Sequence, residues 1–529
     1  MCGIFGALHA SEDIRTSLST IQHRGPDDTQ LVWYGPIALG FHRLAINDLT
    51  PNGNQPLHHP QNDKLAIICN GEIYNHRELK EKYGFQTRSG SDCEIILHMY
   101  HQFGIERTLS ELDGYFAFLL VDGDVLYAAR DEIGVRPLFM GKKGTSLYFA
   151  SEMKALHSLS EHITTFPPGQ WWKSSDPDTF SSFSTLWHQP INYHTYQHAV
   201  HQVRTLLDQA VQKRVETTER PIGCLLSGGL DSSIICALVN QHSRRRTNQP
   251  IHTFSIGLEG STDITFARIV ANHLDTIHHE LIVTEQDMID AIPKVVHAIE
   301  SYDTTTVRAS TPMYLLCEYI SKQTDIRVIF SGEGSDELSG SYLYFHKAPS
   351  AEAFYEETVR LTKDLHYFDV LRCDRSIAAH GLEVRVPFLD KEFMKYYLHL
   401  DPCLKQPASF GIEKYLLRDA FREMLPKNII LRTKAAFSDA VSDPERSWYE
   451  IIQEHVQKLV ASGELDTTVT YSHNPPSMDE TKWYRKLFEK SYPGRAQLIP
   501  YLWLPRWSGN QQDPSARTLD IYQSIGSAQ

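Results

Sequence analysis

In the stretch PIGCLLSGGLDSSIICALV (221–239) an apolar run ends in two glycines and helical spacing begins at once. A strand that delivers the chain through Ser227-Gly228-Gly229 into a helix near Asp231-Ser232-Ser233 severely limits the folds open to this part of the sequence. IHTFSIGL (251–258) reads as another strand, and IRVIFSGEGSDEL (326–338) repeats the strand–turn–helix plan. HAVHQVRTLLDQAVQKRV (198–215) carries its apolar residues at helical period, and residues 350–500 are mostly helical in pattern. Alternation of this kind predicts an α/β domain, a parallel sheet flanked by helices. Ligands of such sheets bind beyond the carboxyl ends of the strands.

The first 160 residues have another texture. CGIFGAL (2–8), GPIALGFHRLAI (35–46), KLAIICNGEIYN (64–75), YFAFLLVDGDVLYAAR (115–130) and GTSLYFAS (144–151) are strand-length runs bounded by turn residues. They predict an α+β domain of stacked antiparallel sheets, with helices near 75–83 and 91–103. Residues 165–195, rich in Pro, Ser and Asp, read as a crossing segment or linker. At 529 residues the chain exceeds a single core. The expected domains are 1–190 and 197–510, followed by a polar tail, 511–529, partly disordered by its composition.

Composition excludes several functions. The net charge of −14 argues against a nucleic-acid surface, and HSRRRTN (242–248) reads as a solvated loop. No apolar block in the first twenty residues suggests a secretory signal, and no run of about 18 apolar residues suggests a membrane span. Eight scattered cysteines without a CxxC pair fit a reducing compartment. His279-Glu280 lacks the second histidine of a metalloprotease helix. A soluble cytoplasmic protein is expected, with no nucleic-acid or membrane partner.

The glycine turns suggest their own ligand. Glycine lets the backbone approach a ligand closely, and a helix N-terminus favours phosphate oxygens. A carboxylate there repels phosphate unless a divalent cation lies between them, which makes Asp231 a candidate Mg²⁺ ligand. The GxxxxGK[ST] loop is absent. FSGEGSDE (330–337) has the same logic, with Ser331-Gly332, Gly334-Ser335 and the acids Glu333, Asp336 and Glu337. These acids form either a solvated capping cluster or, with the first turn, a shared nucleotide and metal site.

Cys2 also has two readings. It begins a strand as a small apolar residue, or it becomes the N-terminal residue once Met1 is removed. A thiol beside a free α-amine, with a pKa of about 7.7–8, forms a nucleophile with its own base.

SGGLDSS resembles the pyrophosphate loop of the N-type ATP pyrophosphatases. With FSGEGSDE, YDTTTVRASTPMYL (302–315), AAHGLEVRVPFLD (378–390), FGIEKYLLRDAF (410–421), RTKAAFSDAV (432–441) and DPSART (513–518), the chain resembles the glutamine-hydrolysing asparagine synthetase family over nearly its whole length. The resemblance implies an N-terminal class II glutamine amidotransferase of Ntn-hydrolase-like αββα fold and a C-terminal synthetase of adenine nucleotide α-hydrolase-like fold. It implies that Cys2 is the nucleophile, with HRGPDD (23–28) near the thiol and Asn70 and Gly71 as the oxyanion-hole pair. Arg43 would clamp the glutamine α-carboxylate, and Asp92 would pair with its ammonium. Leu44, Ala45, Ile46, Asn47 and Glu72 would make further glutamine contacts.

In the synthetase half the resemblance assigns the ATP contacts to Leu226, Ser227, Gly228, Gly229, Asp231, Ser232, Ser233, Ile256, Ser331 and Gly332. Mg²⁺ would lie on Asp231 and Asp336. Glu333 would assist intermediate formation and deprotonate ammonia, and Lys434 would approach the α-phosphate. Thr305, Thr306 and Arg308 would organise the intermediate. Ala435 stands where relatives are expected to carry an acid. The implied product is asparagine from aspartate, ATP and glutamine through β-aspartyl-AMP, with an internal route for ammonia and a homodimeric assembly. A β-lactam-synthetase-like adenylating enzyme and a non-catalytic relative acting as an interaction protein are the alternatives. The intact Cys2, Arg43, Asn70, Asp92, Asp231 and Glu333 argue against both.

Overall fold

The computed structural model describes residues 1–10, 12–443, 445–520 and 522. Two compact units divide the chain. The first comprises Met1–His188 with Glu216–Pro221 and Ile377–Val384, and the second comprises Gln189–Val215, Ile222–Ser376 and Arg385–Gln529. Two short segments distant in sequence thus return to the first unit, which a single division near residue 190 does not provide for.

The first unit contains two six-stranded sheets. In spatial order one runs His162–Thr165, Phe139–Lys143, Ser146–Ala150, Gly3–Leu8, Ile37–Arg43 and Asp28–Tyr34. The other runs Asp176–Ser182, Gln170–Lys173, Val125–Arg130, Gly114–Asp122, Asn62–Ile73 and Leu57–His59. The strands of both pair antiparallel, for example Ile68↔Leu119 and Phe5↔Gly40.

Strand Asn62–Ile73 shows why its sequence reads as a continuous apolar run. Ile68 packs with Ile4, Leu39 and Phe41 of the other sheet. Its neighbours Ile67 and Cys69 pack with Ile95, Ile96 and Met99 of helix Glu94–Glu111. Both faces of the strand are covered, so alternation disappears. The expected helices are present as His76–Tyr83 and Glu94–Glu111.

The second unit holds strands Ile277–Ile282, His252–Gly257, Ile222–Leu225 and Val328–Phe330, paired in that order and parallel. Helix Leu230–Thr247 follows directly from Gly229. Helix Thr304–Gln323 starts at Asp303, whose side chain accepts from Thr306 N. The α/β reading and the helical pattern beyond residue 350 hold.

Two expectations are corrected. The stretch 165–182 is no linker: Gln170–Lys173 and Asp176–Ser182 are sheet strands, and Trp171 and Trp172 are buried. Two buried indoles outweigh the turn-forming composition around them. Residues 242–247 of HSRRRTN are the last turns of helix Leu230–Thr247 rather than a loop, and Asn248 is its left-handed C-cap. Cations are favoured at a helix C-terminus, and Arg246 donates to Val215 O. The tail is docked at 513–518, where Arg308 makes a bidentate pair with Asp513 and Ser515 donates to Asp439. Residues 521 and 523–529 of that tail lie outside the described residues. Among the described residues no helix is long and apolar enough to cross a membrane.

Candidate active sites

In the first unit the Cys2 thiol lies against Leu44, whose backbone N–H reaches Sγ at 3.4 Å. The Cys2 carbonyl accepts from Arg24 Nε at 3.0 Å. Met1 is buried, its amine donating to Leu382 O at 3.0 Å and its sulfur accepting from Arg136 Nη1. Burial drives that amine down to about 5. Burial also pushes the Cys2 thiol up to about 11, against the pull of the N-terminal amino group and the Leu44 backbone. With Met1 in place the thiol is therefore neutral at pH 7.

Asn70 and Gly71 lie within strand Asn62–Ile73. A Cβ on Gly71 would meet Tyr115 O at 2.5 Å, so only glycine allows the adjacent strand this close. Asn70 is buried, and its Nδ2 has no hydrogen-bond partner among the described residues. Such a donor ordinarily finds one.

Two buried carboxylates, Glu72 and Asp92, converge on Asn47 Nδ2 at 3.0 and 3.2 Å. Ile73 N fixes the other Asp92 oxygen at 2.7 Å. This negative pair suits an ammonium group. Arg43 directs its guanidinium at the 47–54 loop, donating to Asn47 O, Asp48 O, Thr50 O and Asn54 Oδ1. It thereby sets the loop that carries Asn47. Ala45 N donates to Asp27 at 2.8 Å, and Leu44, Ala45 and Ile46 are buried.

In the second unit a pocket opens where the strands end. It is lined by Leu226, Ser227, Gly229, Asp231, Ser232, Ile256, Ser331, Gly332, Glu333, Asp336 and Lys434, among others. The two glycine turns touch: a Cβ on Gly332 would meet Ser232 N at 2.9 Å. Asp231 accepts from Ser335 Oγ at 2.7 Å. Lys414 Nζ stands 2.5 Å from both Asp231 Oδ2 and Asp336 Oδ1, and Lys434 Nζ stands 2.6 Å from Asp336 Oδ2.

Burial works to raise the Asp336 carboxyl, but the two lysines overcome it and hold it well below the carboxylate range. Burial likewise opposes the Lys434 charge, and Asp336 and Asp231 outweigh it. Glu333 is bound by Arg372 at 2.7 and 3.1 Å, and burial still raises its carboxyl above the usual value.

The comparisons with known proteins match both halves. The asparagine synthase family model matches residues 202–356 and 348–510, and the glutamine amidotransferase domain model matches residues 1–198. The asparagine synthetase [glutamine-hydrolyzing] of Cricetulus griseus is 43% identical over 571 aligned residues, covering 100% of each chain. That of Gallus gallus is 43% identical over 564, covering 99% of each. The chain belongs to the asparagine synthase family.

Solved structures give fainter likenesses. Glutamine phosphoribosylpyrophosphate amidotransferase from B. subtilis, complexed with ADP and GMP, is 22% identical with a TM-score of 0.31, covering 47% of this chain and 65% of that one. The NH3-dependent NAD synthetase from Campylobacter jejuni is 12% identical with a TM-score of 0.24, covering 56% and 95%.

As a member of the asparagine synthase family, the chain places its expected residues unevenly. Thr305 lines the pocket, and its buried Oγ1 has no partner among the described residues. Thr306 is bonded to Asp303, and Arg308 is committed to Glu480 and Asp513; neither lines the pocket. Gly228 and Ser233 shape the loop from behind. Gly228 has φ +70°, and Ser233 is fully buried.

Lys414, Arg372, Asp369 and Arg432 line the pocket without having been singled out from the sequence. Their only signal was position within or near the family-like segments. Lys414 sits at φ +58°, just before helix Tyr415–Phe421, and no local pattern announces that its ammonium crosses to Asp231. Ala435 leaves Lys434 without an adjacent acid, yet Asp336 supplies one from another turn.

Proposed function

We propose that this chain makes asparagine from aspartate, ATP and glutamine. The carrying observation is the convergence of Asp231 and Asp336 on Lys414 and Lys434 in a pocket at the strand ends. The membership of both halves in one family supports the same reading.

In the first unit, removal of Met1 frees the α-amine of Cys2. That amine takes the thiol proton as Sγ attacks the side-chain amide carbon of glutamine. Asn70 Nδ2 and the Gly71 N–H donate to the oxyanion that forms. Ammonia leaves with the returned proton, and water hydrolyses the thioester to glutamate. Glu72, Asp92 and Asn47 hold the glutamine ammonium, and Arg43 organises the loop at the α-carboxylate.

In the second unit the turns at 227–233 and 331–332 hold ATP. The aspartate β-carboxylate attacks the α-phosphorus, pyrophosphate departs, and Lys434 stabilises charge on the phosphoryl oxygens. Glu333 takes a proton from ammonia as it attacks the acyl carbon, and AMP leaves. Thr305 would contact the intermediate. Two carboxylates meeting at one cationic centre also fit a hard divalent cation, so Asp231 and Asp336 would hold Mg²⁺. When bound, the ion would neutralise charge on the departing pyrophosphate. A homodimer and a cytoplasmic location belong to the same reading; the eight free cysteines favour a reducing compartment.

The test is pyrophosphate and asparagine formation by Met1-processed protein with glutamine or an ammonium salt. Cys2→Ala should lose the first activity and keep the second. Absence of pyrophosphate release with either donor in the wild type overturns the reading.

A further inference from the structure

The segment following strand Ser146–Ala150 grips the N-terminal strand at two points. Ser151 exchanges two hydrogen bonds with Ile4: its N–H donates to Ile4 O, and its Oγ accepts from Ile4 N, both at 3.0 Å. The next residue, Glu152, is 1% exposed. Arg24 Nη1 lies 2.6 Å from its Oε1, Lys154 Nζ lies 2.8 Å from Oε2, and His23 Nε2 lies 3.1 Å from Oε2. Arg24 is fully buried, and its Nε donates to the Cys2 carbonyl at 3.0 Å. A carboxylate, a guanidinium and the nucleophile's own backbone thus form one continuous chain of contacts, none of which the proposed mechanism uses.

We propose that Glu152 is a positioning residue of the glutamine-hydrolysing half, acting through Arg24. It fixes the guanidinium on the Cys2 carbonyl and so holds thiol and α-amine in register with Leu44. Its charge offsets the guanidinium, which alone would disfavour protonation of that amine. The inference rests on Cys2 being the nucleophile.

Arg136 and Glu383 face the Met1 amine, and Glu383 also acts on the Cys2 thiol; neither is altered by substitution at 152. Burial opposes ionisation of Glu152, but Lys154, His23 and Arg24 hold its carboxyl well below the usual range, so it stays charged throughout the assay. Loss of that charge leaves Arg24 uncompensated. Both the ammonium and the neutral thiol at Cys2 then become less favourable, and the acid limb of glutamine hydrolysis moves to lower pH.

The experiment compares Met1-processed wild type, Glu152→Gln, Glu152→Asp and His23→Asn from about pH 5.5 to 9. Glutamine hydrolysis and alkylation of Cys2 by iodoacetamide are measured, with thermal unfolding and ammonium-supported pyrophosphate release as checks on the fold. For Glu152→Gln, kcat should fall about tenfold with KM changed less than about threefold. Its acid limb should drop by about half a pH unit. Glu152→Asp should keep the wild-type limb with a reduced kcat, and this variant alone decides if the Gln variant fails to fold.

An unshifted limb in Glu152→Gln makes the residue merely structural and overturns the proposal. So does a wild-type kcat in Glu152→Asp, or a His23→Asn variant that reproduces the shift unaided. Glutamine hydrolysis surviving Cys2→Ala would instead overturn the underlying reading.

Discussion

Asn70 keeps a buried amide nitrogen without a partner among the described residues, inside a well-packed sheet. An unmade hydrogen bond of this kind costs about 1–3 kcal/mol, and it persists where an acceptor arrives with the substrate. Asn70→Ala should leave thermal stability unchanged or raised while lowering kcat for glutamine hydrolysis by about a hundredfold. Cys2 makes a second prediction. In protein that retains Met1, its alkylation by iodoacetamide should reach half its limiting rate only near pH 11. Lys405 makes a third: it is buried, donates to Tyr397 O and Leu398 O, and burial brings its ammonium down to about 7. Between pH 7 and about 10.4 the unfolded chain binds a proton that the folded chain has released. The stability contribution of Lys405 is therefore full at high pH and lost as pH falls through 7. Relative to Lys405→Met, wild-type melting temperature should rise from pH 7 to 10. The chemistry of Cys2 was legible because a thiol at position 2 is a rare residue in a rare place, whereas the role of Asn70 came only through the family resemblance. The ammonium of Lys414 was not legible, because an ordinary lysine acquires its role only from carboxylates 183 and 78 positions away.

The glycine turns are the elements that fix where a ligand can sit. Gly228 has φ +70°, and a Cβ there would stand 2.3 Å from the Phe266 carbonyl carbon. Neither the backbone angle nor the neighbouring helix, Thr262–Leu274, leaves room for a side chain. Gly228→Ala should cost at least about 2 kcal/mol of stability and abolish pyrophosphate release, read by chemical denaturation and by assay. These turns were visible in the sequence because a strand, two glycines and a helix start are local signals. Strands Gln170–Lys173 and Asp176–Ser182 were hidden behind Pro, Ser and Asp. Gln170–Lys173 pairs with Val125–Arg130 and carries Asp176–Ser182 at its other edge, an arrangement set by the burial of Trp171 and Trp172 over distant residues. The basic run 244–246 was misread for the converse reason: its charge suggested solvent, and its position at a helix C-terminus made it helical.

At the scale of the whole chain, the first unit draws Glu216–Pro221 and Ile377–Val384 from beyond its apparent end. Arg220 donates to Ala45 O at 2.7 Å, and Leu382 O takes the N-terminal amine. A fragment ending at residue 190 lacks both segments and should melt at least about 5 °C below the full chain's first transition, corresponding to roughly 1–2 kcal/mol. Calorimetry of the two proteins checks this; equal transitions would mean that the returning segments contribute nothing. Local patterns in the chain sufficed for the two sheet types, the glycine turns and the reactive thiol of Cys2. Those features follow from periodicity and local backbone geometry, which act within a few residues. Folding set the partners of charge: Lys414 on two aspartates, Arg308 away from the pocket, and Glu152 behind Arg24. An ion pair forms wherever folding brings opposite charges together in a low-dielectric interior, and no local pattern specifies that meeting.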